Sequence, residues 1–307
     1  VMSELITPIS KQPFVGGYES TPQAGESVIT VTDVYKSFHV GTQIIDVLKG
    51  ISFSVERSDF LIVFGPSGCG KSTLLHIILG LEGPSKGEMT FLGKNLYGPG
   101  IEEDVRSEFR KKHIGMVYQQ SNWVKSLSVL ENIAFPLFLL GWDRLAAFDR
   151  ARETLRSVEL ADWADYHPMD LSSGQQQRIA VARALITDPE VIIADEPTGN
   201  LDYDAGEMLL KLLRSLNENG KTLIMVTHDL EYLAYAKTAL SMRDGHLLGI
   251  YRGEEKANLE KELKYKRGVS IQQGAGLEED PNAEPVVFSY GGSSGKLAPQ
   301  PSVSETA

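Results

Sequence analysis

The sequence predicts an α/β fold organised around a mostly parallel β-sheet. Short apolar, β-rich runs, FLIVF at 60–64, VIIA at 191–194 and TLIMV at 222–226, alternate with helical segments. The first of these runs opens into GPSGCGKST and then the apolar helix pattern LLHIILGL, which is strand, glycine-rich loop, helix. The other two end on acids or a histidine, at the strand ends where open parallel sheets bind ligands.

Composition sets the bounds. The chain has 307 residues, 42% of them hydrophobic, enough for one large or two modest domains with a real core. A net charge of −11 argues against a general nucleic-acid binder, which would carry a basic patch or stripe. A single cysteine, Cys69, excludes a disulfide framework and fits a reducing compartment. The N-terminal stretch VMSELITPISKQPFVGGYES lacks the basic start and apolar core of a secretion signal. The longest apolar run, Ala134 to Trp142, contains a proline and is about half the roughly 18 residues a membrane span needs.

Three zones follow. Residues 1–27 are rich in Pro, Gly, Ser and Gln without periodicity and read as a flexible arm. Residues 28–252 carry the strand–helix alternation. From 253 onward, EEKANLEKELKYK reads as one exposed helix with Glu260–Lys264 and Glu262–Lys266 at i, i+4 spacing, and the Gly/Pro/Ser-rich remainder predicts disorder.

Within the middle zone the loop comes first. Gly65, Gly68 and Gly70, with Pro66, Ser67 and Cys69 between them, let the backbone fold tightly and turn its N–H groups inward, where the new helix adds positive potential. An oligophosphate fits there. Lys71 reaches its terminal phosphates and the Ser72 hydroxyl ligates magnesium, as the G-x-x-x-x-G-K-S spacing requires. Cys69 reads as a small residue in a tight loop; the helix N-terminus is the one feature that would activate its thiol.

Gln119 follows another short apolar run in GMVYQQSNW. Its amide oxygen can ligate a metal or orient water, and chemistry alone does not separate it from Gln120. In LSSGQQQRIAVARAL, Ser172 and Gln175 form a capping box for a helix whose Ile179, Ala182 and Ile186 share one face. The Ser172 hydroxyl and the bare backbone of Gly174 fit an anion contact, and equally a routine capped helix. At the end of VIIADEP, adjacent side chains leave a strand in opposite directions, so Asp195 can serve a magnesium shell and Glu196 an attacking water. His228 exits the strand in TLIMVTHD and can contact a γ-phosphate or hold the base; the other five histidines read as incidental.

GPSGCGKS, Gln119, LSSGQQQR, VIIADEP, NLD and His228, in this order and at these separations, resemble the nucleotide-binding subunits of ATP-binding cassette (ABC) transporters over about Val28 to Arg252. The resemblance implies an ABC-type P-loop NTPase with an antiparallel β lobe and a helical subdomain at about 120–188. It implies ATP and Mg²⁺ as ligands, with Lys71, Ser72 and Thr73 on phosphate and metal and Phe38 stacking on adenine. It gives Gln119 and Asp195 to the metal, Glu196 the general-base role and His228 the γ-phosphate. Ser172, Gly174 and Gln175 would act in trans on the nucleotide of a second copy, and Asp202 would signal across that dimer. The implied partners are a second copy and an integral-membrane permease at the cytoplasmic face of the membrane, and no nucleic acid.

The string ENIAFPLFLLGW, with ADEPTGNLD, resembles the branch of macrolide exporters, lipoprotein-releasing complexes and the cell-division pair. Phe135, Phe138 and Trp142 fit either docking to such a permease or plain core packing. Two departures stand out: Ser173 replaces the usual signature glycine, and Arg57-Ser58-Asp59 replaces a common glycine and glutamate. A soluble ATPase clamping DNA or ribosomes is the main alternative, and a non-hydrolytic ATP-gated regulator a further one. The clamps interrupt the same motifs with long coiled coil, which is absent between Gly70 and Ser172.

Overall fold

The computed structural model describes residues 27–274; the N-terminal arm and the tail beyond 274 lie outside the described residues, as do the side chains of Lys264 and Lys266. Two sheets form. Long strands β1 (Ser27–Val40) and β2 (Gln43–Glu56) pair antiparallel, and β1 also pairs with β4 (Lys86–Phe91), which meets the short β5 (Lys94–Asn95). This is the antiparallel lobe.

The second sheet holds β3 (Phe60–Phe64), β6 (Ile114–Tyr118), β7 (Val191–Asp195), β8 (Thr222–Thr227), β9 (Thr238–Arg243) and β10 (His246–Arg252) in the order β10-β9-β3-β8-β7-β6. All its pairings are parallel except β9 with β10. The continuous apolar runs exist because both faces are covered. Leu61 and Val63 of β3 face the core shared with the antiparallel lobe and with α1 (Lys71–Ile78), whereas Phe60, Ile62 and Phe64 face a second core. That second core is closed by α5 (Ser173–Leu185) and α6 (Tyr203–Glu218).

A third core binds the helical subdomain. Here α3 (Val129–Leu139), α4 (Arg144–Ser157) and α5 bury Ile133, Leu137, Leu155 and the predicted Ile179, Ala182, Ile186 face. Helix α5 is apolar on two sides because Ala180, Val181 and Ala184 face the main sheet while Ile179 and Ala182 face α3 and α4. It therefore pins the helical subdomain to the sheet. The ENIAFPLFLLGW stretch divides: Phe138 packs edge-on to Phe148 and Trp142 lies against the core, while Phe135 and Leu139 stay exposed. Helix α2 (Glu103–His113) lies before β6 and packs through Phe109 against Phe91.

The C-terminal helix α7 (Gly253–Gly274) differs from the exposed helix expected. Leu259 is buried and Leu263 packs with it on the second core, while Lys256 Nζ donates to the Leu233 carbonyl at 2.8 Å. The first compact unit accordingly runs to Lys264 rather than closing at Arg252; the described part of the second is the remainder of α7, 265–274. A 3.6-residue apolar pattern carried by only two leucines in a charged run is easily read as solvated. Among the described residues no helix is long and apolar enough to cross a membrane.

Candidate nucleotide site

Parallel pairing aligns strand ends, and here that alignment gathers the site. Tyr118 sits opposite Asp195, Asp195 opposite Val226, and Phe64 opposite Thr227. The residues that follow, Gln119, Glu196, His228 and Gly65, therefore leave the sheet along one end.

The loop from Gly65 to Gly70 joins β3 to α1. Gly70 takes φ 103°, and a Cβ there would lie 2.8 Å from Leu48 and 3.0 Å from the Val47 carbonyl, so β2 presses on the loop and only glycine fits. Lys71 is 6% exposed, and its ammonium donates to the carbonyls of Gly65 at 2.8 Å and Pro66 at 3.0 Å. The side chain thus curls across the loop it follows, which holds the charge at the loop's mouth. Cys69 is buried in the core, as its small-residue reading requires. Ser72 is exposed and Thr73 half-buried at the start of α1.

Asp195 ends β7. Burial pushes its carboxyl above the ordinary aspartate range, neighbouring Glu196 adds to this, and His76 and Lys71 draw it back. Glu196 adopts φ 44°, in the left-handed region, with its N–H donating to the Val226 carbonyl at 2.9 Å and its own carbonyl accepting from Gly199 at 3.1 Å. Glu196 thus lies past the strand end in a left-handed turn, where the sequence reading relied on strand alternation alone. Glu196 Oε2 lies 3.1 Å from His228 Nδ1. A carboxylate only accepts, so Nδ1 carries the proton of that bond.

Gln119 lies against the same turn: a Cβ on Gly199 would be 2.6 Å from its Nε2, and Asn200 Nδ2 donates to its carbonyl at 3.3 Å. The segment after it is tied to α5. Gln177, 4% exposed, donates to the Tyr118 carbonyl at 2.8 Å and accepts from Ser121 Oγ at 3.0 Å. Trp123 Nε1 donates to Gln176 Oε1 at 3.0 Å, and the Arg183 guanidinium stacks over the Trp123 ring at 4.5 Å. Sequence reasoning missed these ties. Three consecutive glutamines gave no sign of which would be buried.

The expected capping box is present: the Ser172 N–H donates to Gln175 Oε1 at 2.9 Å and the Gln175 N–H to Ser172 Oγ at 3.3 Å. A Cβ on Gly174 would lie 2.9 Å from Ala205 Cβ, so the bare backbone is also needed for α5 to approach α6. Asp202 caps α6, accepting from the Ala205 N–H at 2.8 Å. Ser173 is exposed and lines a cleft of about 210 Å³ with Gln119, Gln176, Asn200 and Leu201. Phe38, 36% exposed, stands apart on β1 of the antiparallel lobe.

The oxygen donors available here, the Ser72 hydroxyl, the Gln119 amide and the Asp195 carboxylate, are the hard ligands that suit Mg²⁺. Asp195, made less acidic by burial, is a group whose charged form a divalent cation would stabilise.

Comparison with known proteins agrees on one family. A family model described as ABC transporter matches residues 48–199. An uncharacterized ABC transporter ATP-binding protein of Methanocaldococcus jannaschii is 41% identical over 223 residues, covering 73% of this chain and 99% of that protein. A macrolide export ATP-binding/permease protein of Bdellovibrio bacteriovorus is 40% identical over 71% of this chain, which corresponds to 33% of that longer protein. Among solved structures, the dimeric post-hydrolysis state of the ATP-binding cassette MJ0796 bound to ADP and Pi aligns with a TM-score of 0.67 and 35% identity, over 73% of this chain and 98% of that one.

Proposed function

The chain belongs to the ABC transporter family of ATP-hydrolysing, ATP-binding subunits, and from that premise we propose how its residues divide the work. ATP lies with its phosphates on the Gly65–Lys71 loop and its adenine against Phe38. Ser72, Gln119 and Asp195 would hold magnesium, which would supply charge neutralisation at the outer phosphates. Glu196 accepts a proton from the attacking water, and His228 keeps the Glu196 carboxylate oriented toward it. Contact between His228 and a phosphate oxygen uses its other ring nitrogen and requires the imidazolium form, since Nδ1 is committed to Glu196.

Each nucleotide is closed over by the α5 N-terminus of a second copy. The observation that carries this reading is the position of that helix start. Ser172 and Ser173 are exposed, and the Ser172–Gln175 box is satisfied within α5 itself. The first N–H groups of a helix have no intrahelical partner, so those the box leaves over can be met by an anion on another molecule. A two-fold pairing uses each such contact twice and makes two composite sites. The solved relative is dimeric and holds ADP and Pi, which supports the arrangement. Dimer closing and opening would drive, at the cytoplasmic face of the membrane, a permease of the exporter or envelope-acting class; the macrolide-export relatives support the export part of this reading.

Mixing two inactive proteins tests the shared site. Lys71→Ala and Ser172→Arg chains should each fail to hydrolyse ATP and should regain turnover when mixed, because a heterodimer retains one intact composite site. Absence of any recovery overturns shared sites. Affinity capture of the wild-type chain from detergent-solubilised membranes should recover an integral-membrane subunit; recovery of ribosomal or DNA-bound proteins alone overturns the transport reading.

A further inference from the structure

Lys36 has no part in the site described above, yet it is 9% exposed and fully engaged. Its ammonium donates to Glu82 Oε1 at 2.5 Å and to the Gly83 carbonyl at 2.7 Å, and it sits over the Phe38 ring, 4.9 Å from the centroid. An ammonium has three N–H donors. Two are taken by the turn at 82–83, and the third direction is left to the aromatic face. That turn directly follows α1, with the N–H groups of Leu81 and Glu82 donating to the His76 carbonyl. Further stitches join the same two segments: the Ser85 N–H donates to the Tyr35 carbonyl at 2.8 Å and the Ser37 N–H to Ser85 Oγ at 3.0 Å.

We propose that Lys36 is a positioning residue for nucleotide-base binding: anchored to the end of the phosphate-loop helix, its ammonium closes one face of Phe38 and presents the other to the base. This rests on the reading of Phe38 as the stacking residue. Two physical consequences follow. The ring loses freedom to rotate, so less order has to be imposed when a base arrives. A cation against an aromatic face is also worth most where water is excluded, and Lys36 is nearly buried. The base-binding strand, which belongs to the antiparallel lobe, is thereby fixed relative to the phosphate-binding helix. The spacing between base and phosphate contacts is set by a lysine that touches neither ligand.

The test compares a ligand with a base to one without. Affinities of the full-length chain for ATP and for inorganic tripolyphosphate are measured by calorimetry for wild type, Phe38→Ala, Lys36→Met, Lys36→Arg and the Lys36→Met/Phe38→Ala double variant. Lys36→Met should weaken ATP about three- to tenfold while leaving tripolyphosphate unchanged. Lys36→Arg, which keeps a cation over the ring, should restore most of the loss. The double variant should bind ATP no more weakly than Phe38→Ala, because the lysine acts through the ring. Glu82→Gln, which loosens the anchor at an exposed carboxylate, should produce a smaller shift in the same direction and decides the matter should Lys36→Met fold poorly. Equal weakening of ATP and tripolyphosphate, or an equal Lys36→Met effect with and without Phe38, overturns the inference. Unchanged ATP binding in Phe38→Ala would instead overturn the stacking role itself.

Discussion

Asp195 and Asp59 stand at opposite ends of the main sheet, and burial raises the carboxyl pKa of both. Their surroundings differ. Asp59, just before β3, accepts from Thr238 Oγ1 at 3.1 and 2.9 Å, and Arg252 lowers its pKa back through its charge while donating to the same threonine at 3.2 Å. Asn217 completes that end by donating to the carbonyls of Ser58, Asp59 and Lys221. Asp195 has Glu196 as its neighbour, a second acid that makes its charge harder to carry, with Lys71 and His76 only partly offsetting it. One end satisfies its buried acid with the chain's own groups. The other has only His76 and Lys71 to offset its buried acid, the uncompensated arrangement that functional sites favour over stability.

The departure at Arg57-Ser58-Asp59 belongs to the first end. Ser58 adopts φ 60°, the left-handed conformation that the usual glycine takes without strain. Its side chain recovers part of that cost by donating to the Gly220 carbonyl at 2.9 Å. Asp59, in place of the common glutamate, reaches Thr238 directly.

The sharpest way to break the contrast is Glu196→Gln. Turnover should fall by about 10²-fold or more, with ATP retained and an ATP-dependent dimer detectable by light scattering. Equal turnover would remove Glu196 from the chemistry. At the other end, Thr238→Val withdraws the hydroxyl that serves both oxygens of Asp59, and chemical denaturation should show a loss of about 1–3 kcal/mol with hydrolysis per folded molecule unchanged. A matching loss of hydrolysis would show that this end is not purely structural.

Asp195→Asn should do the reverse of Thr238→Val: it abolishes magnesium-dependent turnover while raising the melting temperature of nucleotide-free protein at neutral pH. The sign follows from linkage. An acid whose folded pKa lies above its unfolded value binds protons more readily when folded, so the nucleotide-free fold loses stability as pH rises from the ordinary aspartate value through the raised one. That slope should flatten in Asp195→Asn, measured by thermal melts across the acid range. A steeper slope would contradict the burial argument. The smallest effect is expected at Ser173→Gly. The side chain is exposed beside a cleft of its own chain, so turnover should change by less than about twofold; a large gain would show that the serine obstructs the trans contact.

Strand runs such as FLIVF were legible because burial on both faces demands continuous apolar residues. The phosphate loop and the Ser172 capping box were legible because local backbone geometry dictates their residues. The buried Leu259 of α7, the left-handed turn at Glu196 and the tethering of the segment after Gln119 were not. Each depends on a partner distant in the chain: Leu233 for Lys256, Val226 for the Glu196 N–H, and Gln177 for Tyr118 and Ser121. Lys36 is of the same kind. Its contacts at 82–83 lie more than forty residues away, and nothing beside it in sequence distinguishes it from a surface lysine.

By itself the sequence determined the strand–helix alternation, the glycine-rich loop and the helix cap, and the acids and histidine that close the apolar strands, because these follow from dihedral preferences and hydrophobic period over a few residues. Only the tertiary structure decided which polar side chains are buried and what they hold. Parallel register set the strand ends side by side, and close packing then fixed each remaining donor and acceptor to a partner that local sequence does not specify.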